Sequence, residues 1–433
     1  MTADAPIYWL FLFVVWALWL LLPGIAARKL WLLAASYIFY ASWQPWYAGL
    51  LGGATVVSFG VGLAVRQRRN RVLLMAGLTA FTGGLALAKG WLNPLPIGLS
   101  FYTLQAIGWM TEAYREGASA SLLDYSLYMA FFPRLAAGPI VRAEEFLPQL
   151  KERERVDSTA LWEASLLLIT GLFKKLVIAD NLGAAADPVF ANLPQAPAGK
   201  IILATLAFSV QLYCDFAGYT DLALGAARLF GLRLPENFRW PYLARHPADF
   251  WRRWHISLSS WLRDYVYFSL PGNRSRHLAQ LNLLVTMALV GVWHGYRWTF
   301  LLWGIYHGVL LVMYHATSRR WLWNSIAGVL AMDVLTVLGW VLFRIERLSD
   351  LPVYIKGLLS RPSPATFYSS DWFAVTLLLL TAAVHLLQVR FGVWERFFNH
   401  RWNPWGLCLL LLMLVTTGLL SLPAQQMFLY FRF

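Results

Sequence analysis

IYWLFLFVVWALWLLLPGIAA, Ile7 to Ala27, is an apolar run without a charged side chain. At about 1.5 Å of rise per residue, a helix of this length crosses a hydrocarbon core of about 30 Å. The preceding MTADAP has no positive n-region and the run exceeds a signal h-region, so a retained membrane helix is expected rather than a cleaved signal. The rest of the chain has the same character. Of 433 residues 59% are hydrophobic and 13% charged, whereas a soluble domain carries about 25% charged residues. Apolar segments begin near Ile7, Leu30, Tyr47, Val72, Leu95, Leu122, Leu161, Ile201, Leu281, Thr299, Trp321, Trp372 and Trp405. This predicts an all-α polytopic membrane protein with about 11 to 13 membrane-embedded helices. Residues 1–433 read as one integral-membrane domain, without a fixed-period repeat or a low-complexity linker.

Charge is the next constraint. The 36 Lys and Arg against 22 Asp and Glu give +14 and a pI near 9.9. In a soluble chain that excess would raise nucleic-acid binding; in a membrane chain it reads as positive-inside loops, and no nucleic-acid partner is expected. Arg28-Lys29 and RQRRNR (Arg66 to Arg71) are separated by two apolar segments and fall on one side, which the positive-inside rule makes cytoplasmic. The N-terminus is then extracytoplasmic, and two further segments return the chain to the cytoplasmic side at Tyr114-Arg115. Beyond residue 116 the parity is lost, because the segments near Leu122 and Leu161 are short or interrupted. Cys214 and Cys408 both lie in apolar sequence and offer neither a disulfide framework nor a CxxC pair.

The largest polar island, residues 228–280, holds nine Arg against Glu236, Asp249 and Asp264, and is expected on the cytoplasmic face. Within it ADFWRRWHISLSSWLRDYVYFSL interleaves aromatic residues with Arg in the manner of an interfacial amphipathic helix. Lipid anchoring and an anionic ligand explain that pattern equally.

Ionisable groups inside membrane segments cost about 2.5 to 3.5 kcal/mol each and usually face a cavity or a partner. Asp215 and Asp221 lie in an apolar run, well separated in angle on a continuous helix; each is expected to cap or to pair with an Arg of the basic island, unless Gly218 breaks the helix. His255, in WRRWHISLS, has a structural or a catalytic reading. His294, in LVGVWHGYRW, lies about 20 Å along a segment starting at Leu281, past the middle of the core. Gly291 and Gly295 are expected to leave room for a substrate beside its ring, and a turn at Tyr296 to Trp298 would bring His307 toward it. No metal site is expected: HExxH and clustered carboxylates are missing, as are P-loop, GxGxxG and GxSxG elements.

Eight stretches carry a family resemblance: PIGLSFYTLQAIGWMTEAYR (Pro96 to Arg115), FFPRLAAGPIVR (Phe131 to Arg142), QLYCDFAGYTDLALG (Gln211 to Gly225), ENFRWPY (Glu236 to Tyr242), DFWRRWHISLSSWLRDYVYFSLPGNR (Asp249 to Arg274), GVWHG (Gly291 to Gly295), WGIYHG (Trp303 to Gly308) and FLYFRF (Phe428 to Phe433). Together they resemble the membrane-bound O-acyltransferase family, in the bacterial branch of alginate O-acetylation and teichoic-acid D-alanylation membrane proteins. The resemblance implies a ring of tilted helices around a thin centre pierced by a tunnel, with His294 as the catalytic histidine and His255 as a second important one. Trp293, Asp215, Asp221 and His307 become tunnel or structural candidates.

It also makes Arg252, Arg253 and Arg263 candidates for the phosphates or phosphopantetheine of an acyl donor. That donor, acyl-CoA or an acyl carrier protein, is implied as a cytoplasmic co-substrate, with no tightly bound cofactor. The implied function is transfer of an acyl group, acetyl first, from a thioester toward an extracytoplasmic polysaccharide hydroxyl, directly or through a periplasmic accessory acyltransferase, in a bacterial inner membrane. His294 serves as general base, a role suited to imidazole. D-Alanyl transfer to teichoic acid and acylation of a lipid or secondary metabolite differ in donor and acceptor. A transporter or flippase would use the same histidines without ester formation, and a scaffold for polysaccharide export would not need them. The link KGWLNP is shorter than in alginate-type members, so acceptor identity does not carry over.

Overall fold

The computed structural model describes all residues except 93–94, 152–155, 273–274, 318–324, 361–366, 393–402, 423–427 and 430–433. The expected segment start at Trp321, Asn93-Pro94 of KGWLNP, Asn273-Arg274, and the last four residues of FLYFRF lie outside the described residues. The described residues are 80% helical, with no strand among them. The chain divides into two compact units, one of Met1–Gly171 with Tyr219–Glu236, the other of Leu172–Gly218 with Asn237–Phe433.

In the first unit α1 (Pro6–Leu21) stops short of the opening apolar run. Pro23 holds Leu22 in extended backbone (φ −73°, ψ 128°), and α2 (Ile25–Ala41) begins after Gly24. The run Ile7–Ala27 is therefore a helix of 16 residues plus the first turn of the next, not one continuous helix. Helix α3 (Pro45–Arg68) starts on its proline and ends at left-handed Arg69. The Asn70 side chain then accepts the Leu73 N–H at 3.1 Å and starts α4 (Arg71–Trp91). Exposed Val72, Met75 and Leu87 on α4 are suited to lipid.

Helix α5 (Leu99–Arg115) is buried from Leu99 through Ala113 and forms the core of this unit. Its start needs glycine: Gly98 has φ +80°, and a Cβ there would stand 2.2 Å from the Leu135 carbonyl oxygen. The chain continues through the short α6 (Leu122–Ala130), α7 (Phe132–Leu135) and α8 (Ala143–Phe146) to α9 (Ser158–Leu172). Lys29 holds Asp124 of α6 at 2.5 Å, and Arg228 pairs with Glu163 of α9.

The second unit opens on a π-helical segment, Phe173–Ala179, that continues into α10 (Asp180–Ala191). Helix α11 (Ala198–Leu229) runs unbroken for 32 residues and passes from the second unit to the first after Gly218. Gly218 therefore does not break it. Two short helices, α12 (Pro247–Trp251) and α13 (Ile256–Tyr265), form from the basic island and lead to α14 (Arg276–His294), α15 (Trp298–Ala316) and α16 (Ile326–Arg344). The amphipathic α17 (Asp350–Leu359) bonds α11 through Tyr354 and Thr205 (2.9 Å). Helix α18 (Ser369–Phe391) is tied by the Asp371–Lys200 ion pair, and α19 (Pro404–Leu420) follows.

Seven of these helices, α3, α4, α11, α14, α15, α16 and α18, are long and apolar enough to cross a membrane; α1 and α19 are shorter apolar helices. The molecule is a multi-pass membrane protein.

Candidate active site

Helices α14 and α15 are joined by Gly295–Arg297 into a hairpin, with His294 as the last helical residue before the turn. Because α14 begins at Arg276, five residues before the expected start, His294 stands about 27 Å along it, at its end rather than just past its middle. The glycines around it close the hairpin. A Cβ on Gly291 would fall 2.2 Å from the Phe300 carbonyl oxygen, and one on Gly304 would fall 2.3 Å from that of Met287. The space expected beside the ring at Gly291 is thus filled by the backbone of α15, and at Gly295 the Phe300 ring stands 3.0 Å from the Cβ position. Small residues permit this close approach.

The His294 ring is 6% exposed. It lies edge-on to Trp303 at 5.3 Å and Phe343 at 5.1 Å, with Trp293 at 5.1 Å. The Trp293 ring also neighbours His255, ring centroids 6.4 Å apart. The two imidazoles are therefore no further apart than those two separations laid end to end, and both are buried. Trp303 likewise bridges His294 to His307, whose ring is 5.1 Å away. His255, Trp293, His294, Trp303 and His307 thus form a chain of neighbouring rings, with the three histidines and Trp303 buried and Trp293 half-buried.

His255 is held by a local device that sequence reading missed. Its backbone is left-handed (φ +42°), a conformation that costs energy outside glycine, and it forms the turn into α13. Fully buried Asn237 fixes that turn. Its backbone oxygen accepts the Ile256 N–H at 2.9 Å, and its side-chain oxygen accepts the Ser257 hydroxyl at 2.5 Å and N–H at 3.3 Å. Burial pushes the His255 imidazole down to about 3, so it is neutral near pH 7. That suits hydrogen bonding and positioning better than proton abstraction.

A cavity of about 720 Å³ lies between the basic island, α14 and α15. Arg239, Arg252, Arg263 and Arg276 line it together with Ser259 and Ser260, and no carboxylate is among its described lining residues. Arg252 and Arg263 remain largely exposed although each contacts an acid, Asp249 at 3.5 Å and Asp264 at 2.8 Å. Arg253 does not line the cavity. Its Nε forms an ion pair with Asp249 at 3.1 Å and its guanidinium donates to the Arg239 carbonyl at 3.2 Å, which ties the island together. Burial raises the Asp249 carboxyl, but the Arg245 N–H and the two arginines outweigh it and leave the group below its ordinary value.

The α14 side of the cavity includes one helical stripe, Arg276, Gln280, Leu283, Met287 and Val290, flanked by Ala279 and Thr286. The next residue of that stripe, one turn on, is His294.

Asp215 has a different partner from the one expected. It accepts from Lys175 of the π segment at 2.9 Å, and Lys175 also meets Asp180 at 2.8 Å, all three side chains being buried. The other Asp215 oxygen accepts the Leu429 N–H at 2.8 Å. This carboxylate holds structure, and its cation comes from GLFKKLVIAD rather than from the basic island. The lysine pair inside an apolar run was the signal that could have revealed it. Asp221 belongs to the other unit and is half-buried. Among the described residues no group of three metal-binding side chains occurs.

A family model, MBOAT, membrane-bound O-acyltransferase family, matches residues 108–346. Among curated proteins, a probable alginate O-acetylase AlgI of Pseudomonas aeruginosa is 39% identical over 361 residues, covering 76% of this chain and 69% of the relative. A peptidoglycan O-acetyltransferase of Helicobacter pylori is 33% identical over 388 residues, covering 76% and 73%. The teichoic acid D-alanyltransferase of Bacillus subtilis is 29% identical over 326 residues, covering 65% and 80%. Membrane helices, motif positions and these relatives agree: the chain belongs to the membrane-bound O-acyltransferase family and is an O-acyltransferase.

Proposed function

We propose that the protein transfers an acetyl group from a thioester donor, acyl-CoA or an acyl carrier protein, to a hydroxyl of an extracytoplasmic polysaccharide. The observation that carries this reading is the arginine-lined cavity whose α14 wall ends one turn before His294. Four guanidinium groups suit the phosphates of a donor arriving from the cytoplasmic face, with Arg252 and Arg263 in first contact. The stripe from Arg276 to Val290 rises about 20 Å, a span that calls for an elongated donor arm.

In the reaction His294 takes the acceptor hydroxyl proton as the oxygen attacks the thioester carbon. The C–O bond forms, the C–S bond breaks, and the thiolate leaves on the donor. His255 and Trp293 position the reacting groups. Aromatic packing around His294 keeps bulk water from the thioester. The acetyl choice follows the alginate and peptidoglycan relatives, which are more similar than the D-alanyl one. An inner-membrane location with an extracytoplasmic N-terminus, a tunnel joining the two faces and delivery through a periplasmic accessory protein complete the proposal.

Membrane vesicles with accessible cytoplasmic faces test it. Label from acetyl-CoA or an acetylated carrier should enter polymer with the wild-type protein and not with His294→Ala. Equal incorporation by both would overturn it.

A further inference from the structure

The α14–α15 hairpin has two ends of different chemistry. Arg276 and Gln280 of α14 and His315 of α15 stand at the end that lines the arginine-rich cavity. The opposite end is the Gly295–Arg297 turn, which directly follows His294. In the orientation proposed above, that turn faces the extracytoplasmic side.

Three consecutive side chains are exposed there. Tyr296 is 54% and Trp298 71% exposed, with Arg297 exposed between them, whereas His294 before the turn and Thr299 and Phe300 after it are buried. The Arg297 guanidinium stands over the Phe300 ring at 5.6 Å, and the same ring lies 6.2 Å from the His294 imidazole. The exposed cation and the imidazole thus share one neighbouring ring. Arg344, the last residue of α16 and next to Phe343 beside His294, is neutralised by Asp187 at 2.7 Å. Arg297 has no acid partner among the described residues. A positive charge on an extracytoplasmic turn runs against the usual bias of membrane loops, and Gly295 already eases the chain reversal. Making the turn therefore requires neither the charge nor the exposed rings.

An acceptor hydroxyl that reaches His294 from outside passes this rim. A guanidinium offers a planar fork to a carboxylate, and exposed tyrosine and tryptophan rings offer apolar faces to a sugar ring. We propose that the Tyr296–Trp298 turn is an acceptor subsite in which Arg297 pairs with the carboxylate of an acidic polysaccharide, so that the site selects a sugar acid over a neutral sugar. This rests on the polysaccharide-acceptor reading above.

The test measures binding of two probes, tetragalacturonate and its carboxyl-reduced counterpart tetragalactose, to full-length protein in zwitterionic nanodiscs at low salt without an acyl donor. An exposed charge-assisted pair is worth roughly three- to fivefold in affinity and less as salt rises. Arg297→Gln should weaken the uronate by roughly that factor and leave the neutral glycan unchanged. The cytoplasmic arginines also attract the uronate, so the difference between wild type and Arg297→Gln is the quantity that reads the turn. Arg297 is exposed, and its substitution does not threaten folding. Unchanged uronate binding in Arg297→Gln overturns the subsite, leaves lipid phosphate as the partner of the guanidinium, and leaves the acyl-transfer reading standing. Binding of neither glycan overturns the subsite and the polysaccharide-acceptor reading together. Tighter binding of tetra(glycerol phosphate) than of the uronate, lost in Arg297→Gln, overturns the sugar-acid assignment in favour of a phosphodiester polymer.

Discussion

Replacing Gly291 with alanine puts a methyl group where the backbone of α15 already stands. The added carbon would lie 2.2 Å from the Phe300 carbonyl oxygen and 2.9 Å from its carbon, against an ordinary contact of 3.4 Å or more. Both are main-chain atoms, so no side chain can swing aside and the helices must part by about 1 Å. Overpacking of this kind costs about 1–3 kcal/mol. His294 sits three residues further along α14, and Trp303 and Phe343, which flank its ring, sit on the helices it faces. A shift of about 1 Å in a catalytic group costs on the order of 10²-fold in rate. Gly291→Ala should therefore lower kcat for acyl transfer by about that factor while the protein still accumulates and unfolds cooperatively. Gly84→Ala on α4, where nothing lies within 4 Å, is the control, with unchanged rate and a helix-propensity gain of up to about 1 kcal/mol. A folded Gly291→Ala protein with kcat within about twofold of wild type would refute the view that the hairpin contact sets the position of His294.

Three further outcomes follow from the same geometry. Lys175→Met leaves Asp180 and Asp215 buried without their cation, and should cost about 3–5 kcal/mol, read as a large fall in Tm. The His255 imidazole is held at about 3, below its ordinary value of 6.5, so under pH 6.5 the unfolded chain takes up the additional proton and stability falls with pH. Between pH 7.5 and 5.5 the loss from this group is on the order of 1 kcal/mol, and His255→Gln should flatten the measured pH dependence by that amount. Arg252→Ala and Arg263→Ala should each raise KM for a phosphate-bearing donor roughly three- to tenfold with little change in kcat, measured in initial-rate assays.

Much of the architecture was legible in apolar periodicity. Of the expected segment starts, those near Tyr47, Val72 and Thr299 lie within two residues of the starts of membrane-length helices, because a bilayer-length apolar run leaves the backbone little choice. The Ile7–Ala27 run misled on length alone; Pro23 was the visible stop signal. The histidines stood out because polar groups are costly in apolar sequence. Partnerships were not legible. Asp215 finds Lys175 from a distant part of the chain, Asn237 orders the His255 turn from 18 residues away, and Arg239 and Arg276 join Arg252 and Arg263 only through folding. Gly291 illustrates the same limit: sequence indicates that space is needed there, and only packing tells whether a ligand or a helix fills it.

The central claim is that His294 carries out acyl transfer to a surface polymer. The most direct measurement is base-labile acetyl ester, identified by mass, in the surface-polymer fraction of a deletion strain complemented with wild-type protein or with His294→Ala at matched membrane abundance. The account predicts ester in the first strain and its loss in the second. Equal ester in both strains would contradict it.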